Sequence, residues 1–423
     1  MREWTPERVA EAAGARLVAP PPGAGGPGRA VIDSRAAEPG DLFVGLRGEN
    51  ADGGRFAPQA LAAGAWGVLV APEHAEAAQC APPGVLLAAE DPLAALQRLA
   101  TAWRRELGAD VIGVTGSTGK TSTKDVIAAM VGQRRRVVAT RGNYNTEIGL
   151  PLTVLEAPAG TEVLVLEMAM RGRGQIAELA AIAEPDVAVI TNIGPVHLEQ
   201  MGSLEAIAAE KAAVVAGLRP GGTAVVPRDE PLLAPHLRDD VTVVEFGPGD
   251  DLGGVELDFA SAHMRLNAAA ALAAARAVGV EPRGRVEVAL SELRGQRIEL
   301  PGGITVVNDC YNANPMSMRA ALDDLAAAAP GRRVAVLGDM LELGPESERF
   351  HREVGEHARR SGVDLLVTVG PLAAAMDGDQ AVADAAEAAA LLPELLDDGD
   401  TVLVKGSRGV GLEVVAEALQ QTA

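Results

Sequence analysis

The chain has 423 residues, 48% of them hydrophobic and 22% charged, and its formal net charge is -21 at pH 7. At roughly 100 to 200 residues per domain this length exceeds one ordinary core, and we expect three domains. The acidic balance argues against a nucleic-acid partner or a membrane surface, whose phosphates it would repel, and no apolar run approaches the ~18 to 20 residues of a membrane span.

The start of the chain and its cysteines indicate a cytoplasmic protein. The first residues, MREWTPE, lack the apolar stretch of a signal peptide. The two cysteines, Cys80 and Cys310, cannot form a disulfide framework and fit a reducing compartment. We expect a cytoplasmic monomer.

Residues 1–82 are predicted to form a small α/β domain. Its segment 19–28 (APPPGAGGPG) is typical of a surface loop. The apolar runs at 41–46 and 66–70 predict short strands on either side of a helical stretch at 57–64.

Residues 83–292 are predicted to form a central domain built on a parallel sheet. Its strands are apolar throughout rather than alternating, which indicates burial on both faces of the sheet. These strands are VIGVT (111–115), EVLVLEM (162–168), DVAVITN (186–192) and TAVV (223–226).

Residues 293–423 are predicted to form a third domain, again with an open parallel sheet. Its strands are ITVVND (304–309), RVAVLGD (333–339), DLLVTV (364–369) and TVLVKG (401–406). The Ala-rich stretches 268–278 and 384–391 predict packed helices, because they combine high helix propensity with interspersed Leu or Val.

The segment VIGVTGSTGKTSTK (111–124) has the order of a phosphate-binding loop: a buried strand, a loop of small residues and a helix. Backbone N–H groups and the helix N-terminus would face the anion, Lys120 would reach the outer phosphates, and the Thr121 hydroxyl would ligate magnesium. The pattern is G-x-x-G-K-T, shorter than that of ordinary GTPases and motors. The predicted nucleotide contacts are Gly116, Ser117, Thr118, Gly119, Lys120, Thr121 and Ser122.

Glu167 ends the predicted strand LVLEM, so its carboxylate lies at the carboxyl edge of the sheet beside this loop. A magnesium ligand is needed at that place. The alternative is an acid that only caps the next helix.

Downstream of the loop the chain resembles the Mur ligases. The stretch NDCYNANPMSM (308–318) resembles the D-x-Y-N-A-N-P-x-S signature of the member that adds D-alanyl-D-alanine. Further similar stretches occur in family order: DSRAAEPGDLFVGLRGE (33–49), GNYNTEIGLPLT (142–153), LEMAMRGRGQI (166–176), TNIGPVHLEQMGS (191–203), LGDMLELG (337–344) and VLVKGSR (402–408).

The resemblance implies a UDP-sugar-binding first domain, a central ATPase domain and a Rossmann-like third domain that closes over the site. It implies that ATP phosphorylates the carboxylate of a UDP-muramoyl-tripeptide and that the amine of D-alanyl-D-alanine then displaces phosphate. It also implies two magnesium ions, held by Thr121, Glu167, His197 and Lys211, with Lys211 carbamylated and Lys120, Glu167, His197 and Lys211 catalytic.

Other site residues are implied by the same resemblance. Asn267, Arg297 and Asp309 would contact ATP. The sugar nucleotide and its peptide would contact Asp33, Ser34, Arg35, the loop from Gly48 to Gly53, Asn143, Asn145 and Thr146. The dipeptide side of the cleft would include Asn312, Asn314, Lys405, Ser407 and Arg408.

Several positions depart from the family pattern. Ala213 takes the place of an acid two residues after Lys211, Gly54 that of a histidine, and Met264 that of an asparagine. The segment 247–262 is short, so we expect the small antiparallel sheet of the family's central domain to be reduced or absent.

Two alternatives remain open on the sequence. One is another ligase of the superfamily, such as the diaminopimelate- or lysine-adding enzyme or a folylpolyglutamate synthetase, against which YNANP (311–315) and the lack of a D-N-P-R motif argue. The other is a nucleotide-binding scaffold without catalysis, against which the retained metal-binding set argues.

Overall fold

The first sheet is formed by the amino-terminal part of the chain. The computed structural model describes residues 1–19, 25–49, 51–258, 261–291 and 293–422. Positions 20–24 of the predicted loop 19–28 lie outside the described residues, as does position 50 of the loop from Gly48 to Gly53. The strands are β1 (Arg16–Ala19), β2 (Ala30–Val31), β3 (Leu42–Val44), β4 (Gly67–Val70) and β5 (Val85–Ala88), and the helices are α1 (Pro6–Ala13), α2 (Ala57–Ala62) and α3 (Pro72–Ala77). Their order is β1-β5-β4-β3-β2, with β1 antiparallel to its neighbour. The strands predicted at 41–46 and 66–70 are confirmed, and β5 joins this sheet although it follows residue 82.

The central sheet is parallel throughout, as its apolar strands predicted. The strands are β6 (Asp110–Thr115), β7 (Val137–Ala139), β8 (Val163–Glu167), β9 (Val187–Ile190), β10 (Thr223–Pro227) and β11 (Thr242–Phe246). The helices are α4 (Pro92–Leu107), α5 (Lys120–Gly132), α6 (Gly149–Glu156), α7 (Gln175–Ala183), α8 (Leu198–Met201), α9 (Leu204–Ala216) and α10 (Ala262–Ala277). The order β11-β10-β9-β6-β8-β7 places β6 between β9 and β8, so the loops after these three strands meet at one edge.

The short segment after β11 carries little regular structure. Within the described part of this segment and its neighbours, β12 (Val255–Glu256) pairs with β13 (Gly284–Arg285) in a two-stranded parallel sheet. Positions 259 and 260 lie outside the described residues. The small sheet of the central domain is thus reduced in what the structure describes, as the short linker predicted.

The third sheet also confirms the predicted strands. It consists of β14 (Gln296–Glu299), β15 (Thr305–Asn308), β16 (Arg333–Gly338), β17 (Leu365–Val369), β18 (Gln380–Val382) and β19 (Thr401–Lys405), with α11 (Pro315–Ala328), α12 (Ser347–Arg360), α13 (Ala385–Leu395) and α14 (Glu413–Thr422). The order is β14-β15-β19-β16-β17-β18, and only β14 is antiparallel among these described strands. The predicted fold class, an α/β chain of three domains with parallel sheets, is confirmed.

The first and central sheets share a continuous apolar core along α4. This helix begins after Asp91, whose carboxylate accepts from the Ala94 N–H over 3.0 Å, and ends at Gly108 with a φ angle of +60°. Its Trp103 packs edge-to-face against Trp4 of the first sheet's layer, with ring centres 5.5 Å apart. The core fixes the first sheet beside the phosphate loop's sheet. No described helix is both long enough and apolar enough to cross a membrane.

Candidate active site at the edge of the central sheet

The phosphate loop makes a sharp turn between β6 and α5. Gly116 and Gly119 have φ angles of +151° and +74°, and α5 begins directly after Gly119. A Cβ atom on Gly119 would lie 2.6 Å from the side-chain oxygen of Asn267, so glycine is required there. On the other side the Thr118 N–H donates to Asn192 Oδ1 over 2.9 Å. The loop is therefore fixed from two sides, with the amino-terminal end of α5 available to an anion.

Two lysines meet at one backbone oxygen of this loop. Lys120 Nζ donates to the Gly116 carbonyl over 2.9 Å, and Lys211 Nζ, from α9, donates to the same oxygen over 3.0 Å. Burial, and after it the charge of Lys120, lowers the pKa of the Lys211 ammonium well below its ordinary value. Burial also lowers the pKa of Lys120. Lys211 therefore reaches the neutral amine form far more readily than a surface lysine does.

Lysine is scarce in this chain and concentrated near the site. Of 37 basic side chains only four are lysines, namely Lys120, Lys124, Lys211 and Lys405. Lys124, Lys211 and Lys405 are each at most 3% exposed. Arginine supplies positive charge at the other positions, but a guanidinium neither loses its proton nor offers an amine for covalent modification. At Lys120 and Lys211, which share the Gly116 carbonyl, the chain thus presents amines that arginine would not offer.

Glu167 presents a carboxylate oxygen without a partner at the end of β8. Its side chain is buried, and Oε1 accepts from Asn145 Nδ2 over 2.8 Å. Its Oε2 is also buried, and no described residue hydrogen-bonds to it. An uncompensated buried carboxylate oxygen is costly, and a cation is what would compensate it. The chemistry of this position thus fits Mg²⁺.

His197 lies on the loop after β9, facing the third sheet. Its φ angle is +52°, and its Nδ1 contacts the carboxylate of Glu342 from the third domain. Burial, the largest influence, lowers the pKa of His197, and although Glu342 raises it, the charges of Lys120 and Lys211 also lower it, so that the pKa lies below its ordinary value. The ring is therefore mainly neutral near pH 7, the form that ligates metals. No described residue hydrogen-bonds to the other ring nitrogen, Nε2.

The segment after β15 is held by buried polar groups. Lys405 Nζ donates to Asp309 Oδ2 over 2.5 Å and to the Asn312 carbonyl over 3.1 Å. The Asn314 side chain accepts from the Ser317 N–H over 3.0 Å in a capping box that begins α11. These contacts fix the backbone of YNANP (311–315) at the edge of the third sheet that faces the central domain.

Sequence profiles of one family cover most of the chain. The profile of the Mur ligase middle domain matches residues 114–261, that of the Mur ligase, glutamate ligase domain matches 293–408, and that of the Mur ligase family, catalytic domain matches 30–104. A UDP-N-acetylmuramoyl-tripeptide--D-alanyl-D-alanine ligase of Bacillus subtilis (strain 168) is 38% identical over 92% of this chain and 92% of its own length. The protein of that name from Escherichia coli (strain K12) is 33% identical over 92% of this chain and 93% of its own length.

The chain belongs to the Mur ligase family. The resemblance predicted from the motifs is confirmed, and the protein is an ATP-dependent ligase that forms ADP. Among solved structures, MurF from Acinetobacter baumannii is similar with a TM-score of 0.86 and 28% identity over 99% of both chains. The MurF ligase from Thermotoga maritima in complex with ADP is similar with a TM-score of 0.79 and 31% identity, over 93% of this chain and 97% of that one.

In this Mur ligase two predicted nucleotide residues lie in different settings. Asn267 is buried against Gly119 of the phosphate loop. Arg297 lies exposed on the edge strand β14, opposite Val307 of β15. Sequence reasoning missed Arg294, whose guanidinium lies 4.0 Å from the centre of the Tyr311 ring.

The charge of Arg294 also adds to burial in lowering the pKa of Lys120, so this arginine lies within electrostatic reach of the phosphate loop. Its neighbour Leu293 has a φ angle of +59°, and Ser291 donates through N–H and Oγ to Asp125 of α5 over 2.9 and 3.0 Å. The connection between the domains is therefore anchored on the helix of the phosphate loop. No sequence pattern marks Arg294, because the anchor at Ser291 forms only in the folded chain.

The predicted sugar-nucleotide residues of the Mur ligase lie on turns; several are exposed, but Ser34 is buried. Asp33 precedes a short 3-10 helix, and the Arg35 guanidinium lowers the pKa of its carboxyl to about 2. Ser34 Oγ donates to Gln59 Oε1 over 3.3 Å. Asn143 and Thr146 are exposed on the loop before α6, on which Asn145 reaches Glu167.

The departure at Gly54 has a structural counterpart. A Cβ atom on Gly54 would overlap the imidazole ring of His74, which comes from α3. His74 Nε2 lies 3.1 Å from an Asp52 carboxylate oxygen. A histidine ring thus occupies the space beside Gly54, supplied from a different position in the chain.

We predict that Glu167→Gln raises the Mg²⁺ concentration needed for half-maximal ADP release by about 10-fold or more, because it removes an anionic metal ligand. The melting temperature should not fall, because the substitution also removes an unpartnered buried charge. The measurement is a Mg²⁺ titration of ADP release. Glu162→Gln, one residue before the same strand begins, is the matched control, and an unchanged Mg²⁺ dependence in Glu167→Gln would contradict the ligand assignment.

Proposed function

We propose that this Mur ligase joins D-alanyl-D-alanine to UDP-N-acetylmuramoyl-tripeptide in the synthesis of peptidoglycan precursors, with conversion of ATP to ADP and phosphate. The observation that carries this proposal is the similarity, over 92% of the chain, to relatives named for that reaction. The site supports it, because Met316, directly after the YNANP segment, packs on Gly194 of the central domain, whose carbonyl accepts from Ser117 of the phosphate loop.

The reaction has two steps. A carboxylate oxygen of the tripeptide attacks the γ-phosphorus of ATP, the bond to the β–γ bridging oxygen breaks, and ADP leaves with that bond's electron pair. The dipeptide amine then attacks the acyl-phosphate carbonyl, the tetrahedral intermediate loses a proton, and phosphate departs as the amide forms. Lys120 stabilises the charge on the transferred phosphoryl group in the first step.

Thr121, Glu167, His197 and Lys211 are the proposed metal ligands, for two Mg²⁺ ions. The unpartnered buried oxygen of Glu167 supports this assignment. When bound, Mg²⁺ supplies neutralisation of phosphate charge and polarisation of the γ-phosphoryl group. Glu167 is held for this role by Asn145, and His197 offers a neutral ring.

Lys211 serves in this scheme as a carbamate. The ammonium first loses a proton to solvent, the neutral Nζ then attacks the carbon of CO₂, and a second proton leaves, so that the cation beside Lys120 becomes an anion with two oxygens. The lowered pKa of Lys211 supports the step, since only the neutral amine reacts, and the change replaces repulsion between two ammonium groups with attraction. An arginine at this position would not undergo it.

The remaining predicted residues are assigned to three ligands. Gly116 to Ser122 hold the ATP phosphates, and Asn267, Arg297 and Asp309 contact the nucleotide. The UDP-sugar and peptide contact Asp33, Ser34, Arg35, Asn143, Asn145 and Thr146. The dipeptide side comprises Asn312, Asn314, Lys405, Ser407 and Arg408, of which Arg408 is exposed and lies 3.3 Å from the Glu413 carboxylate.

The first domain is assigned to the predicted residues 1–82 together with β5 (Val85–Ala88), which lies in its sheet, the central domain to the residues after β5 up to 292, and the third domain to 293–423. We place the reaction in the cytoplasm, where ATP is available, and we propose that the enzyme acts as a monomer, since all the assigned groups come from one chain.

Hydroxylamine trapping tests the proposed order of steps. With ATP and UDP-muramoyl-tripeptide but no dipeptide, hydroxylamine should yield the tripeptide hydroxamate and ADP in equal amounts. Omitting ATP is the control. If ADP appears only when the dipeptide is present and no hydroxamate forms, the acyl-phosphate route is wrong.

A further inference from the structure

The contact between His197 and Glu342 joins two domains through two unusual backbone positions. His197 Nδ1 faces the Glu342 carboxylate, with His197 on the central domain and Glu342 on the third. Six non-glycine residues in the described part of the chain have positive φ angles, and this contact pairs two of them, at +52° and +63°. Such conformations cost on the order of 1 kcal/mol or more and tend to persist where function requires them.

The third-domain loop that presents this carboxylate is held in place by its own domain. The Met340 N–H donates to His351 Nε2 over 2.9 Å, and the Leu341 N–H donates to Ser407 Oγ over 3.0 Å. His351 Nδ1 in turn lies 2.7 Å from the Ser347 carbonyl oxygen, and burial lowers the pKa of this histidine, so it is a neutral ring with both nitrogens engaged. The position of the Glu342 backbone is thus preset without help from the central domain.

Neighbouring contacts bring the two loops together. A Cβ atom on Gly194 would overlap the Met316 sulfur at the start of α11, so the third domain packs directly on the loop that leads to His197. On the far side Glu199 Cα lies 3.4 Å from the Cβ position of Gly344. The carboxylate reaches His197 only when these surfaces meet.

We propose that Glu342 is a positioning residue, by which the third domain completes the metal site of the central domain. A histidine ligand usually donates its second ring N–H to a carboxylate, which fixes the tautomer and orientation of the ring and raises the basicity of the ligating nitrogen. Glu342 accepts from Nδ1–H of His197, and this leaves the lone pair of Nε2, which has no partner among the described residues, for the metal. This inference rests on the proposed role of His197.

The arrangement couples metal binding to domain contact. If third-domain docking strengthens the hold of His197 on the metal, then metal binding must strengthen docking by the same factor. Loading of metal and nucleotide would favour the arrangement in which the amine-binding segments face the activated carboxylate.

Mn²⁺ binding to the full chain tests the proposal without relying on turnover. Free Mn²⁺ is measured by electron paramagnetic resonance in the presence of β,γ-methylene-ATP. Glu342→Ala should bind Mn²⁺ about 10-fold to 100-fold more weakly than the wild type. Glu342→Gln, which keeps an oxygen acceptor without the charge, should recover part of the loss. Glu346→Ala, which removes a carboxylate just beyond the same loop, should bind as the wild type does.

A double-mutant cycle separates action through His197 from a general disturbance. The variant with both His197→Ala and Glu342→Ala should bind Mn²⁺ no more weakly than His197→Ala alone, since Glu342 acts only through that ring. Additive losses, or wild-type affinity in Glu342→Ala, would overturn the proposal while leaving the ligase function intact. Wild-type affinity in His197→Ala would instead overturn the metal-ligand role of His197, and this inference with it.

Discussion

Lys120→Ala is expected to lower the rate of ADP release by about 10²-fold or more, the usual loss when a preorganised charge is removed from a centre of developing charge. Lys120 lies at the turn where the phosphate loop becomes α5, and its ammonium is held by the Gly116 carbonyl. A methyl group at this position leaves the transferred phosphoryl group without its neighbouring cation.

The affinity for UDP-muramoyl-tripeptide should change little in this variant, because the sugar nucleotide is assigned mainly to the first domain. Calorimetric binding of the tripeptide and a coupled ADP assay measure the two quantities separately. Arg134→Ala, which removes one exposed positive charge near the end of the same helix, is the control. A Lys120→Ala enzyme that retains more than half the wild-type rate would refute the phosphate-loop assignment.

Lys211→Ala is expected to be inactive, with part of the activity restored by added formate or acetate. These anions supply carboxylate oxygens of the kind that a carbamate would present to the metals. Lys211→Arg should also be inactive and should respond less to either anion, because it keeps the positive charge and fills the space. The measurement is ADP release with and without each anion, together with the mass of the intact chain.

Comparison of Lys211→Ala with Lys211→Arg distinguishes a carbamate at this position from a simple positive charge. If Lys211→Arg retained activity, the cation itself would be sufficient. A fully active enzyme with both metals bound and an unmodified Lys211 would likewise contradict the carbamate.

Local sequence patterns predicted the elements that position the site. Strands β6, β8 and β9 were predicted from the sequence because strands buried on both faces of a sheet are apolar throughout. The loop from Gly116 to Thr121 was predictable because its turn lies so close to neighbouring side chains that it requires glycine, and the glycines are visible in the sequence. Glu167 was predictable because a strand end fixes where its carboxylate lies.

Contacts between domains could not be predicted in this way. Glu342 lies in the stretch LGDMLELG (337–344), whose similarity to the family was evident, but its meeting with His197 depends on how two domains pack. Arg294 has no acidic partner among the described residues that would mark it, and its contact is the ring of Tyr311. Lys405 was predicted as a substrate contact, yet its burial beneath Asp309 also gives it a role in shaping the segment after β15.

The most direct test of the central claim is the acceptor requirement of ADP release. With ATP, Mg²⁺ and UDP-muramoyl-tripeptide, release of ADP should require D-alanyl-D-alanine, and diaminopimelate, lysine or glutamate should not replace it. Equal formation of ADP and of the UDP-muramoyl-pentapeptide is the predicted result. Comparable turnover when a single amino acid is added to UDP-muramoyl-dipeptide would contradict the dipeptide-adding function.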